Sequence, residues 1–94
     1  MKVRWTRAAL NQLHEAYDYI QLDKPFAAAR MVDLIEAAAD RLRLFPQMGR
    51  PAARPKTRIL AVPTTPFVLV YRVKNDTLEI LALYHGAQNW RKAD

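Results

Sequence analysis

The chain has 94 residues, 51% apolar, 26% charged and 10% aromatic, with a formal net charge of +6. That length supports one domain with a two-layer core, burying roughly 60–65% of the surface its unfolded form exposes, and the composition is that of a folded globular protein. The sequence has no cysteine, no serine and only Gly49 and Gly86 as glycines, which excludes disulfides, thiolate metal sites, Cys or Ser nucleophiles and a glycine-rich phosphate loop.

In chain order, residues 2–5 alternate charged and apolar side chains and predict a short strand. Thr6 suits a helix N-cap, because its hydroxyl accepts from an orphan N–H of the first turn. Leu10, Leu13, Tyr17 and Ile20 then recur at helical spacing, predicting an amphipathic helix over 7–22 with Tyr17 in the core. Asp23-Lys24-Pro25 ends it, and Pro25, which has no N–H to lose, starts the next helix. There Ala27, Met31, Leu34, Ile35, Ala38, Leu42 and Phe45 form one stripe, opposed by Asp33, Glu36, Asp40 and Arg43. Alanines 27–29 and 37–39 favour helix and allow a neighbour to approach closely. Pro46 stops the helix, and 46–55, with three prolines and Gly49, reads as an ordered loop. The period then changes to two, giving strands over 57–62, 67–73 and 78–84. Pro63-Thr64-Thr65-Pro66 joins the first two. Lys74-Asn75-Asp76-Thr77 joins the second and third, Asn and Asp tolerating the positive φ of a tight turn. A polar tail follows His85-Gly86. The order β-α-α-β-β-β predicts a single two-layer α+β domain over 1–94: an N-terminal strand, a helical hairpin, then a three-stranded antiparallel meander, with the helices on one sheet face.

On the middle strand Phe67, Leu69, Tyr71 and Val73 share one side, and Val68, Val70 and Arg72 the other. Strict alternation on the last strand sets Leu78, Ile80, Ala82 and Tyr84 against Leu81 and Leu83. Two helices cover one face only, so Val68, Val70, Leu81 and Leu83 are expected to form an apolar patch on the other. Three covers are open: the tail with Trp90, a second copy, or a dedicated protein partner. Glu79, in step with Leu81 and Leu83, is expected at the border of that face.

The charge is concentrated. Residues 41–75 hold eight basic and no acidic side chains, whereas 1–40 and 76–94 each carry net −1. A field of one sign attracts a polyanion or an acidic protein surface, though a solvated basic face serves solubility too. Aromatic and basic residues do not interleave as in an RNA-binding sheet. No apolar run reaches membrane-span length, and the first residues lack the stretch of a signal peptide, so a cytoplasmic protein without a membrane partner is expected. His14 and His85 are the two histidines, with no carboxylate cluster at ligand spacing, so neither a metal, another cofactor nor a small-molecule ligand is expected. His14 is expected to pair with Asp18 on the helix surface. His85, just past a strand end, is placed either to bond the tail or to move a proton on a phosphodiester beside cationic side chains.

The sequence resembles the RelE/ParE toxins of bacterial toxin–antitoxin modules. The resemblance rests on Val3-Arg4-Trp5-Thr6 with Ala8, Ala9 and Leu10, on Leu44-Phe45-Pro46-Gln47-Met48-Gly49-Arg50-Pro51, on Pro66-Phe67-Val68-Leu69-Val70-Tyr71-Arg72-Val73, and on Leu78-Glu79-Ile80-Leu81-Ala82-Leu83-Tyr84-His85-Gly86 with Trp90 four residues on. It implies a helical hairpin on an antiparallel sheet and a cognate antitoxin, often with an acidic amphipathic C-terminal segment, that wraps the toxin as a hetero-oligomer. Such a partner supplies a cover for the apolar patch and counter-charge for the basic segment. The RelE-like branch cleaves mRNA on the ribosome with sheet cations that fall here at Ile59, Ala61, Val68 and near Gln88, none of them basic. The ParE-like branch inhibits DNA gyrase by binding, without a catalytic constellation, and the Phe-Pro-x-x-Gly-Arg-Pro and His-Gly-x-x-x-Trp stretches look more like it. The resemblance thus implies a gyrase-binding, non-enzymatic toxin with contacts at Arg50, Arg54, Lys56, Arg58, His85 and Trp90. The alternative is a ribosome-dependent endoribonuclease, with His85 and Arg58 as its catalytic residues, since some such members end with a histidine after a tyrosine, as at Tyr84-His85. A third reading is a relic that only binds its antitoxin.

Overall fold

The computed structural model describes residues 1–86. Strand β1 (Lys2–Trp5) leads into helix α1 (Arg7–Gln21) and helix α2 (Pro25–Leu44). Four strands follow: β2 (Arg50–Pro51), β3 (Arg58–Ala61), β4 (Phe67–Lys74) and β5 (Thr77–His85). They form one mixed sheet in the order β1-β5-β4-β3-β2. The antiparallel meander β3-β4-β5 follows the order read from the sequence. β1, expected as a strand, joins the sheet parallel to β5, and the addition is the two-residue β2, which pairs Arg50 with Ile59 inside a segment expected to be loop.

Local chemistry sets the element ends. Thr6 caps α1, its Oγ1 accepting from Ala9 N at 3.2 Å. Pro25 occupies the first turn of α2. Asn75 and Asp76 take φ of 52° and 58° in the β4–β5 turn, the left-handed pair that a two-residue hairpin requires.

The helical hairpin packs on one sheet face around Leu13, Met31, Ile35, Leu42, Leu69, Tyr71, Leu78 and Ile80. In α1 the buried residues are Ala9 and Leu13, with Ala16 and Ile20 partly buried. Tyr17 is not in the core; it is 37% exposed. The stripe of α2 likewise shifts, with Ala28 and Ala39 buried and Phe45 62% exposed. Small alanines buried in both helices let the backbones approach, which turns each helix slightly from the stripe its larger side chains suggest.

A second correction concerns β5. Val70 pairs with Ala82 but Tyr71 pairs with Ile80, so Leu81 is the extra residue of a β-bulge. A bulge places two residues opposite one and reverses the alternation beyond it. Leu83 therefore belongs to the core under the helices, 3% exposed, instead of sharing the outer face with Val68 and Val70. Ala82 takes its place there. The outer cluster consists of Ile59, Val68, Val70 and Ala82, with Ala52, Leu81 and Tyr84 packed against it. Val68 and Val70 are buried, 8% and 4% exposed, so they are not the open apolar patch that alternation alone suggests.

Candidate functional site

Three regions concentrate chemistry. The first is where α1 meets β5. The β1 strand ends at Trp5, and beyond it the N-cap Thr6 and the α1 residue Gln12 serve the β5 edge. Thr6 N donates to Ile80 O at 3.0 Å, and Thr6 Oγ1 lies within donating distance of Ile80 O and Leu81 O. Leu83 N donates to Gln12 Oε1 at 2.8 Å. The helix thus satisfies backbone groups that the bulge and the end of β1 would otherwise leave open. Beside this junction lies a groove of about 690 Å³ between the two helices and the 64–67 turn. Its floor is apolar (Ala16, Ile20, Met31, Leu34, Phe67, Leu83) and its rim carries Gln12, Glu15, Arg30 and His85. At the hairpin tip, Tyr19, Leu22 and Phe26 are 80%, 80% and 91% exposed, a large apolar exposure for so small a domain. Sequence reading missed this groove. Its signal is those three apolar residues off the core stripes.

The second region is the loop expected to bind partners. Tyr71 is 1% exposed on β4, and its hydroxyl accepts from Gly49 N at 2.9 Å and donates to Pro46 O at 2.7 Å. Burial raises its pKa, so the hydroxyl keeps the proton it donates. Arg58 Nη1 donates to Gly49 O at 2.7 Å. Arg50, Arg54 and Lys56 are exposed on this anchored loop and Arg58 is half-buried. A cleft of about 620 Å³ runs beside it, lined by Lys56, Arg58, Tyr71 and Arg72 among others.

The third region is a charge cluster on the outer face. Glu79 is 7% exposed. Its Oε2 accepts from Arg4, from Nε at 3.1 Å and also from Nη2, while Oε1 accepts from Arg72 Nε at 2.7 Å. The Arg4 hydrogen bonds, then those of Arg72, hold its pKa at about 2. The sequence reading set Glu79 at this face but did not give it two arginines, because Arg4 is far away in the chain.

His85 is exposed at the groove rim, its ring edge-on to Phe67 at 5.5 Å. It pairs with Phe67 across the ladder, whereas Arg58 pairs with Tyr71. Four residues of strand separate those positions, roughly 13 Å at the usual rise. A general acid and a phosphate-binding arginine must meet one phosphate; here His85 stands beside the first residue of β4 and Arg58 beside its middle. His14 is exposed and, among the described residues, makes no ion pair with Asp18. Val68 and Ile59, the positions at which the resemblance implied cations in a nuclease, are buried in the outer apolar cluster, and Ala61 pairs with Val68. Trp90 and Gln88 lie outside the described residues. Among the described residues no cluster of His, Asp or Glu is arranged to hold a metal, and no helix is long and apolar enough to cross a membrane.

Residues 3–90 match the family of ParE toxins of type II toxin–antitoxin systems, parDE. The toxin-named protein Y4kP of Sinorhizobium fredii is 42% identical over 89 residues, covering 95% of this chain and 92% of its own length. The toxin RelE2 of Caulobacter vibrioides is 36% identical over 87 residues, covering 93% and 97%. Among solved structures, the chromosomal ParDE system of P. aeruginosa superposes with a TM-score of 0.82 at 30% identity, covering 90% of this chain and 95% of that one. The RelBE2 toxin–antitoxin complex of Mycobacterium tuberculosis gives 0.57 at 25% identity, covering 89% and 95%.

Proposed function

This chain belongs to the ParE toxin family of type II toxin–antitoxin systems, and from that premise we propose that it inhibits DNA gyrase by binding it, breaking no bond, and is held inactive by a cognate antitoxin in a hetero-oligomer. The observation that carries the gyrase reading is the outer sheet face. Val68, Ile59 and Ala61 stand on it where cleavage by charge stabilisation would need cations, and the cations that this face does carry, Arg4 and Arg72, are paired with Glu79. Losing one such electrostatic donor commonly lowers a rate by about 10²–10³, and several are missing together.

The target contacts are Arg50, Arg54, Lys56 and Arg58 on the loop anchored by Tyr71, with His85 and Trp90 toward the C-terminus. An anchored loop presents its cations without the ordering cost a free one would carry. The apolar groove between the helices, with the exposed hairpin tip beside it, suits an amphipathic antitoxin segment, which lays an apolar face into such a groove. That ParDE and RelBE2 form toxin–antitoxin systems supports an antitoxin partner for this chain.

The names of the relatives span both branches, and Tyr84-His85 matches some ribosome-dependent members, so the endoribonuclease stands as the second reading. A supercoiling assay with purified protein and gyrase separates them. Inhibition at near-stoichiometric toxin is expected, and none at stoichiometric excess overturns the proposal. The second reading requires mRNA cleavage in a translation extract that His85→Ala abolishes.

A further inference from the structure

The cleft beside the anchored loop joins Lys56 and Arg58, assigned above to the target, with Arg72 and a proline wall that the target reading does not use. Its cations come from two directions: Lys56 and Arg58 from the loop and β3, and Arg72 from β4. No acidic side chain lines it. Arg72 is already oriented, because its Nε is hydrogen-bonded to Glu79 Oε1; the two terminal nitrogens of the guanidinium remain as donors. Arg58 is fixed in the same way, Nη1 being bonded to Gly49 O. Lys56 sits at φ 64°, a left-handed conformation that lysine rarely adopts and that strained functional loops retain. Pro46, Pro51 and Pro55 stiffen the wall.

Preoriented guanidinium groups with a nearby ammonium match the oxygens of a phosphate. The surroundings favour a polymer of phosphates over a lone anion, since the cleft lies within 41–75, where the sequence has eight basic and no acidic residues. We propose that this cleft binds the phosphodiester backbone of DNA, independently of any protein target. Bases are not read there: the charged lining positions a backbone and carries no sequence information.

The test uses the full chain and a short fluorescein-labelled duplex, followed by anisotropy across a salt series without gyrase, so that its failure and a failure of the gyrase reading are told apart. Lys56→Asn removes one cation and suits positive φ, so the fold is expected to survive with an unchanged melting midpoint. The expected result is binding by the native chain. Lys56→Asn weakens it about five- to tenfold at low salt and lowers the slope of log K against log salt by about 1. Lys24→Gln removes the same charge from the α1–α2 turn and is expected to bind like the native chain. No binding by the native chain, equal losses in both variants, or binding of free ATP with none of the duplex overturns the proposal.

Discussion

The Tyr71 hydroxyl and the Gly49 backbone fit together so closely that a Cβ at Gly49 would stand 2.5 Å from the hydroxyl oxygen and 2.8 Å from Ile59 O. Gly49 has no positive φ, so glycine is required here for space and not for conformation. The hydroxyl closes the loop by taking the Gly49 N–H and giving its own proton to Pro46 O. This explains why Phe-Pro-x-x-Gly-Arg-Pro is a unit: its proline carbonyl and its glycine N–H both serve one buried tyrosine on a distant strand.

Tyr71→Phe strands that buried N–H and is expected to cost about 1–3 kcal/mol. Gly49→Ala meets two fixed atoms and is expected to cost about as much through overpacking. Urea denaturation measures both, and equal stability of Tyr71→Phe and the native chain would remove the anchor from the account.

The Glu79 cluster gives an acid dependence with a definite sign. Its folded pKa of about 2 lies below the ordinary 4.5, so its stabilising contribution is complete above 4.5 and is lost as pH falls toward 2. Glu79→Gln is expected to be less stable than the native chain at neutral pH, and to lose less between pH 4.5 and 2. Denaturation midpoints across that interval check it, and parallel curves for the two proteins would contradict it.

Gln12 is expected to stabilise the end of β5 through its bond to Leu83 N. Gln12→Ala leaves that amide without its partner and is expected to cost about 1 kcal/mol. Hydrogen exchange reads it locally: the Leu83 amide speeds up while those of β4 do not.

The groove assignment is tested by Ala27→Glu. Ala27 is an exposed residue of the groove lining, so the fold is expected to tolerate the change. A carboxylate there repels an acidic segment and interrupts its apolar contact. Affinity for the antitoxin is expected to fall about tenfold or more, by titration of the copurified partner, with gyrase inhibition unchanged.

Much of the architecture was legible because it is written locally. The Thr6 cap, Pro25 at a helix start, the Asn75-Asp76 turn and the period-two strands each depend on residues a few positions apart, and each stands where the sequence sets it. Tyr17 lies outside the core because helical spacing identifies a stripe but not its centre, and buried Ala9 with half-buried Ala16 set the packed face of α1 away from it. The outer patch was misjudged because alternation holds only until a bulge interrupts it.

By itself the sequence determined the order and kind of the elements, the acid-free basic segment and the resemblance to RelE/ParE toxins, all of which follow from chain-local spacing and composition. Only the tertiary structure decided that Leu83 turns inward past the Leu81 bulge, that Glu79 lies between Arg4 and Arg72, and that His85 and Arg58 flank β4 four ladder positions apart. The reason is physical: a bulge, a cross-strand ion pair and the distance between two sites are fixed by the register of strands far apart in the chain, and register is settled when whole faces bury together.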